Sequence, residues 1–206
     1  MKVLVYSPHT DDAELGCGGY LAKLKEQGHD ITVIAYSYCE DSLPDEIKGA
    51  LLMEFKISMG TLGVSYKHYD YKVRTFGLYR KEILQSMRDD FRIYRPDLVL
   101  IPSFSDIHQD HHVIHAEGVR AFSRECSVLC YELPWNCRTF VPDHYEELNN
   151  EHLEKKMNAI LSYKSQIDLN RPYFDRELIF GLARARGLQI KRKYAEAFET
   201  ITMIAP

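Results

Sequence analysis

Short apolar runs rich in β-branched residues alternate along this chain with longer stretches whose apolar residues recur near every third or fourth position. That alternation is the strongest constraint on what the chain can fold into. Strands are predicted at Val3–Ser7, Ile31–Ser37, Tyr66–Tyr69, Leu98–Pro102 and Val128–Leu133. Between them, Gly18–Gln27, Pro44–Leu62 and Leu78–Tyr94 read as helices that pack one face on a sheet. Gly28 suits a helix C-terminus, and the third helix stops before Arg95-Pro96, because the residue preceding proline is pushed out of the α region. A βαβαβαβ succession predicts an α/β fold with a doubly wound, mostly parallel, Rossmann-like sheet and helices on both faces.

After Leu133 the pattern is more irregular, with Pro134-Trp135-Asn136 and Phe140-Val141-Pro142 followed by a polar helix from about Asn149 to Tyr163. A further helix near Asp175–Arg186 and a strand-like Glu199–Ile204 complete the reading. No Gly/Ser/Pro-rich linker divides these elements, so the 206 residues, 1–206, are expected to form a single domain.

Charge and apolar content narrow the partners. With 26 Lys and Arg against 30 Asp and Glu, the net charge of −4 offers no basic field for nucleic acid or anionic lipid. No apolar run approaches the roughly 20 residues needed to cross a bilayer, so no integral membrane segment is expected. Met1-Lys2-Val3-Leu4-Val5 runs into a strand pattern rather than a signal peptide, which predicts a cytoplasmic protein. The five cysteines are an odd, scattered set and are read as reduced thiols. Cys126-x-x-x-Cys130 has the residue types for a metal pair but falls in a predicted buried strand, where a thiol packs like a small hydrophobe.

Two motifs carry chemistry. Ser7-Pro8-His9-Thr10-Asp11-Asp12-Ala13-Glu14-Leu15-Gly16-Cys17-Gly18-Gly19 follows the first strand, and Asp106-Ile107-His108-Gln109-Asp110-His111-His112 follows the fourth. Ligands of open α/β sheets sit beyond the carboxyl ends of strands, where the strand order reverses. If it reverses between the first and fourth strands, the two motifs face each other. An open catalytic zinc site takes three imidazole or carboxylate ligands and leaves one position for water. His9, Asp12 and a histidine of the second motif supply that set, with His111, His112 and His115 all available by spacing. Of the adjacent carboxylates, Asp12 can bind the ion while Asp11 takes a proton from water as general base. His108, cationic and oriented by Asp110, can stabilise an oxyanion or protonate a leaving amine.

Blander readings exist for each cluster. The acidic loop could be merely solvated, and the histidine-rich segment could be a surface helix start capped by Asp106. Gly16-x-Gly18-Gly19 invites a dinucleotide-binding reading, but the third glycine of that pattern is replaced by Leu21, and Asp11, Asp12 and Glu14 would repel a pyrophosphate. The glycines are read instead as allowing close backbone packing.

The paired motifs resemble the [AS]-H-P-D-D-x-E-L-G-C-G-G and H-P-D-H signatures of the PIG-L/LmbE-like zinc-dependent de-N-acetylases. Weaker similarity extends to Leu62-Gly63-Val64, Tyr163-Lys164-Ser165-Gln166 and Tyr194-Ala195-Glu196-Ala197-Phe198. The resemblance implies that His9, Asp12 and His111 hold one zinc ion per chain, with iron as the alternative metal. It also implies that Asp11 is the general base and that His108 and Asp110 stabilise the oxyanion. His111 is preferred over His112 on this ground alone. Thr10, Ala13 and Gln109 depart from the family pattern, and the arginine that many relatives carry near Ala50 or Leu51 is missing. The implied substrate is a small-molecule N-acetylated sugar conjugate of the N-acetylglucosamine type. Lys72–Arg80 and Trp135–Arg138 are expected to wall the pocket, with Arg74 and Asn136 as candidate substrate contacts. The assembly state, monomer or oligomer, is left open by the sequence. A zinc-binding pseudoenzyme would need neither Asp11 nor His108, and is the main alternative to a hydrolase.

Overall fold

The computed structural model describes residues 1–204. The first βα unit is β1 (Lys2–His9) and α1 (Asp12–Glu26), followed by β2 (Asp30–Ser37), α2 (Ala50–Leu62) and β3 (Ser65–His68). The second half begins with α3 (Arg80–Tyr94), β4 (Leu98–Pro102), α4 (Gln109–Phe122) and β5 (Ser127–Tyr131). It ends with β6 (His144–Leu148), α5 (Asn150–Ile160), α6 (Lys164–Asp168), α7 (Arg176–Gln189) and β7 (Tyr194–Thr202). One seven-stranded sheet has the order β3-β2-β1-β4-β5-β7-β6. Pairing is parallel from β3 through β5, and β7 runs antiparallel to both its neighbours.

The near-continuous apolar strands are explained by burial on both sides. Val3 and Val5 pack with α1 and α2 residues such as Leu21 and Phe55, while the alternating Leu4 and Tyr6 pack with α3 and α4 residues such as Met87 and Ile114. This period of two builds a three-layer, doubly wound α/β structure. Among the described residues, no helix is long and apolar enough to cross a membrane, and all five cysteines are free.

Three boundaries differ from expectation for local reasons. α1 begins at Asp12 rather than Gly18, because Asp12 and Glu14 fall in its first turn, where the helix dipole favours negative charge. α2 begins at Ala50 rather than Pro44, since Gly49 at φ 84° turns the chain immediately before it. β7 starts at Tyr194, well before the predicted Glu199, and β6 is a strand that no apolar run announces. The β6 sequence, His144-Tyr145-Glu146-Glu147-Leu148, is that of a sheet edge, with Glu146 paired to Lys23 at 2.8 Å.

The glycines of the first motif serve packing. A Cβ on Gly19 would lie 2.5 Å from Leu148 Cδ1, and one on Gly16 would run into the Tyr131 ring. At Cys17 (φ −141°) α1 leaves helical geometry, which frees backbone groups inside the core. Lys156 Nζ donates to the Leu15 carbonyl at 2.8 Å and to Glu196 Oε1 at 2.7 Å. The Glu196 carboxylate in turn accepts Gly19 N–H at 3.0 Å and Tyr20 N–H at 2.6 Å. This enclosed pair therefore satisfies the kink that sets the start of α1 beneath the site. Lys156→Met is expected to cost about 3–5 kcal/mol, because it leaves Glu196 a buried charge without its cation. Denaturant unfolding measures this, and a loss under about 1 kcal/mol would refute it.

Candidate active site

The strand order reverses between β1 and β4, so the two motifs, which leave the carboxyl ends of these neighbouring strands, converge on one crevice. β1 carries His9 at its last position and α1 carries Asp12 at its first, leaving only Thr10 and Asp11 as the turn. His108 caps the start of α4, its Nδ1 accepting the Asp110 N–H at 3.2 Å, and His111 lies one turn further along.

Three donor atoms meet here. His9 Nδ1 lies 3.3 Å from Asp12 Oδ2 and 3.2 Å from His111 Nε2, and His111 Nε2 lies 3.2 Å from Asp12 Oδ2. A tetrahedral ion with ligands at about 2.0–2.1 Å keeps its ligand atoms about 3.3–3.4 Å apart, so this near-equilateral triangle fits one. The ring nitrogens of His9, His108 and His111 also lie within 4.8 Å of one another, a looser set. Helix phase sends the three candidate histidines of the second motif in different directions. His111 faces the crevice, His112 is exposed against Phe104, and His115 is buried with Nδ1 bonded to the Pro102 carbonyl at 2.9 Å.

Carboxylates behind the imidazoles fix their tautomers. His111 Nδ1 donates to Asp106 Oδ2 at 2.6 Å, which turns the Nε2 lone pair toward His9 and Asp12. Asp106 is therefore fully buried behind the site and is not the surface helix cap weighed from the sequence. On the other side, His9 Nε2 donates to Asp110 Oδ2 at 3.2 Å, and Asp110 also accepts the backbone N–H groups of Arg74 (2.6 Å) and Phe76 (3.3 Å). The expected pairing of Asp110 with the His108 ring is thus corrected. At the first turn of α4 the Asp110 carboxylate points across to β1, and only its backbone meets the His108 ring.

Electrostatics sort the groups further. Burial, then the charge of Asp12, push the Asp11 carboxyl up to about 7. Burial would raise Asp12 as well, but His111 and His9 hold it well below the usual carboxylate range. Burial alone would lower His111, yet Asp12 and then Asp106 bring it up to about 10. His108 is lowered to about 4 by burial and by the neighbouring His111 and His9. That direction runs against the cationic His108 expected from the sequence, and the ring's Nδ1 accepts from the helix backbone. Glu14, beneath the motif, is also pushed up, to about 8, by burial.

These groups floor a cavity of about 270 Å³. Asp11 is half-buried in it, and its carboxylate has no hydrogen-bond partner among the described residues. Arg74 and Asn136 both line the wall. Arg74 is held at φ 65° by its N–H bond to Asp110, and Asn136 Nδ2 approaches Asp106 Oδ2 at 3.5 Å. Trp135 stacks on Tyr173, with ring centroids 4.4 Å apart, and both line the cavity. Gln166, Arg171, Tyr173 and Cys39 are wall residues that sequence reading did not single out. Of these only Gln166 lay in a segment of noted similarity, and the others stand in loops with no pattern of their own.

The family model for PIG-L, described as GlcNAc-PI de-N-acetylase, matches residues 4–122, which contain both motifs. An uncharacterized deacetylase, YaiS, of Escherichia coli K12 is 25% identical over 172 residues, covering 79% of this chain and 90% of the relative. Among solved structures, the N,N'-diacetylchitobiose deacetylase from Pyrococcus horikoshii superposes with a TM-score of 0.76 at 21% identity, covering 97% of this chain and 83% of that one. The hydratase GalB from Pseudomonas putida KT2440, which acts on 4-carboxy-2-hydroxymuconate, superposes with a TM-score of 0.77 at 23% identity, covering 100% and 98%. At such identities the two structures establish a shared fold and nothing about the reaction.

Proposed function

Because the chain belongs to the PIG-L, GlcNAc-PI de-N-acetylase, family, we propose that it is a metal-dependent amidohydrolase that removes the acetyl group from an N-acetylated sugar conjugate of the N-acetylglucosamine type. The observation that carries this reading is the triangle of His9 Nδ1, Asp12 Oδ2 and His111 Nε2, with edges of 3.2–3.3 Å. Two imidazoles and one carboxylate suit zinc, and iron accepts the same donors. When bound, such an ion supplies a Lewis acid that lowers the pKa of water and polarises a carbonyl oxygen.

The residues of the chain do the rest. Asp106 and Asp110 orient His111 and His9 so that one nitrogen of each faces the centre. Asp11, raised toward neutrality and open to the cavity, accepts a proton from the attacking water. It then returns that proton to the sugar nitrogen as the C–N bond breaks, which releases acetate and a free amine. His108 offers a neutral Nε2–H to the oxygen on which charge develops. Arg74 and Asn136 contact the sugar or its aglycone from the wall.

The test is direct. Purified protein is expected to carry about one divalent ion per chain and to release acetate from N-acetylglucosamine conjugates, with release abolished by a chelator and restored by zinc or iron(II). Ion binding without acetate release from any N-acetylated sugar would instead favour the pseudoenzyme. Water addition to an enol acid, the chemistry class of the hydratase neighbour, would mark a different reaction on this fold.

A further inference from the structure

Two features of the sequence have no part in the chemistry above: Glu14 in the first motif, and Tyr163, which opens Tyr163-Lys164-Ser165-Gln166. The fold brings them together beneath the Thr10–Asp11 turn. Glu14 of α1, Ser58 of α2 and Tyr163, just before α6, are all fully buried. The Tyr163 hydroxyl lies 2.5 Å from the Thr10 carbonyl oxygen and 2.7 Å from Glu14 Oε1. Ser58 Oγ lies 2.5 Å from the same Glu14 oxygen, and Glu14 Oε2 is buried with no partner among the described residues.

One hydroxyl makes both contacts. The Tyr163 O–H reaches the Thr10 carbonyl and Glu14 Oε1, and Ser58 Oγ donates to the same Glu14 oxygen. The Glu14 side chain, itself anchored by Ser58, therefore sets where the phenol stands.

We propose that Glu14 and Tyr163, whose hydroxyl reaches both Glu14 Oε1 and the Thr10 carbonyl, form a buried bracket that fixes the Thr10–Asp11 peptide and so holds the Asp11 carboxylate at the cavity floor. Glu14 and Tyr163 are positioning residues, and the catalytic consequence rests on the role of Asp11 proposed above. On its far side Asp11 is already held, its carbonyl accepting Leu15 N–H at 3.1 Å. On the near side the Ser7 hydroxyl ties the His9 carbonyl to Ala13 N–H, and the bracket adds the restraint on Thr10 itself, whose Oγ1 makes no hydrogen bond among the described residues.

The experiment compares Tyr163→Phe, Glu14→Gln and Glu14→Leu with wild type in the metal-loaded enzyme, with two readouts. Amide hydrogen exchange over residues 10–13 reports the bracket independently of activity. The kcat and KM for acetate release from an N-acetylglucosamine conjugate report its consequence. Tyr163→Phe and Glu14→Leu are expected to exchange roughly tenfold faster there and to lose about 10- to 100-fold in kcat with KM within about twofold, as misplaced catalytic groups do. Glu14→Gln is expected to stay near wild type on both, because its amide matches the carboxyl group in size and still hydrogen-bonds Tyr163. Unchanged exchange in Tyr163→Phe overturns the bracket. A Glu14→Gln enzyme as impaired as Glu14→Leu overturns the hydrogen-bonding role of Glu14. Where Glu14→Leu does not fold, Tyr163→Phe against Glu14→Gln decides. Faster exchange with unchanged kcat overturns the catalytic consequence, and Asp11→Asn then shows whether the fault lies in the role of Asp11. A wild type that releases no acetate removes the functional reading alone, since the exchange comparison still decides the bracket.

Discussion

His9→Ala, Asp12→Ala and His111→Ala are each expected to lose the divalent ion and to bring acetate release down to background. Each change removes one corner of a triangle whose edges are 3.2–3.3 Å, and two protein donors do not make a catalytic zinc site. The carboxylates behind the imidazoles give a graded version of the same experiment. Asp106→Asn, which disturbs the Nδ1 partner of His111 and leaves the three triangle donors in place, is expected to weaken the ion by roughly 10- to 100-fold rather than abolish it. His112→Ala, on the exposed side of α4, is expected to leave ion content unchanged. Elemental analysis after gel filtration, with a competing chelator for affinity, reads all of these. Full ion retention in all three alanine variants would falsify the assignment, and loss in His112→Ala with retention in His111→Ala would move the site by one residue.

Asp11→Asn is expected to keep the ion and lose about 10²–10⁴-fold in turnover, the range that a positioned general base supplies. Asp11 is adjacent to a triangle donor but has no bond to the triangle, and burial together with the Asp12 charge has already moved it to about 7. The sign of the pH dependence follows. The base works deprotonated, so wild-type turnover rises with pH through the Asp11 pKa, at or below about 7 because a cation alongside favours the carboxylate. Asp11→Asn is expected to lose that acid limb along with the rate. The same limb in an Asp11→Asn enzyme with near wild-type turnover would assign the proton transfer to another group.

Much of this arrangement was legible in the residues. The alternation of apolar runs with helical periods dictates a doubly wound sheet, because strands buried on both faces cannot carry polar residues in their middles. The two His/Asp motifs were legible because polar clusters directly after such runs fall at the carboxyl ends of strands. The different tasks proposed for Asp12 and Asp11 rest on the chemistry of an open metal site.

Other features depended on contacts between segments far apart in the chain. Spacing alone could not separate His111 from His112, since successive helix residues differ by about 100° in direction and only packing says which direction is inward. Asp110 lies next to His111 and two residues from His108, yet its carboxylate crosses to His9 on β1, because Arg74 and Phe76 from another loop hold it there. That crossing takes the Asp110 carboxylate away from the His108 ring, whose pKa burial then lowers. β6 went unread because an edge strand needs no apolar run, and the wall residues Arg171 and Tyr173 because a loop and a single short turn of helix have no periodicity. Glu14 and Tyr163 were visible only as fragments of similarity 149 positions apart. A protein interior assigns work to such groups by leaving them no water to bond with, and that constraint exists only once α1, α2 and the turn before α6 have closed around them.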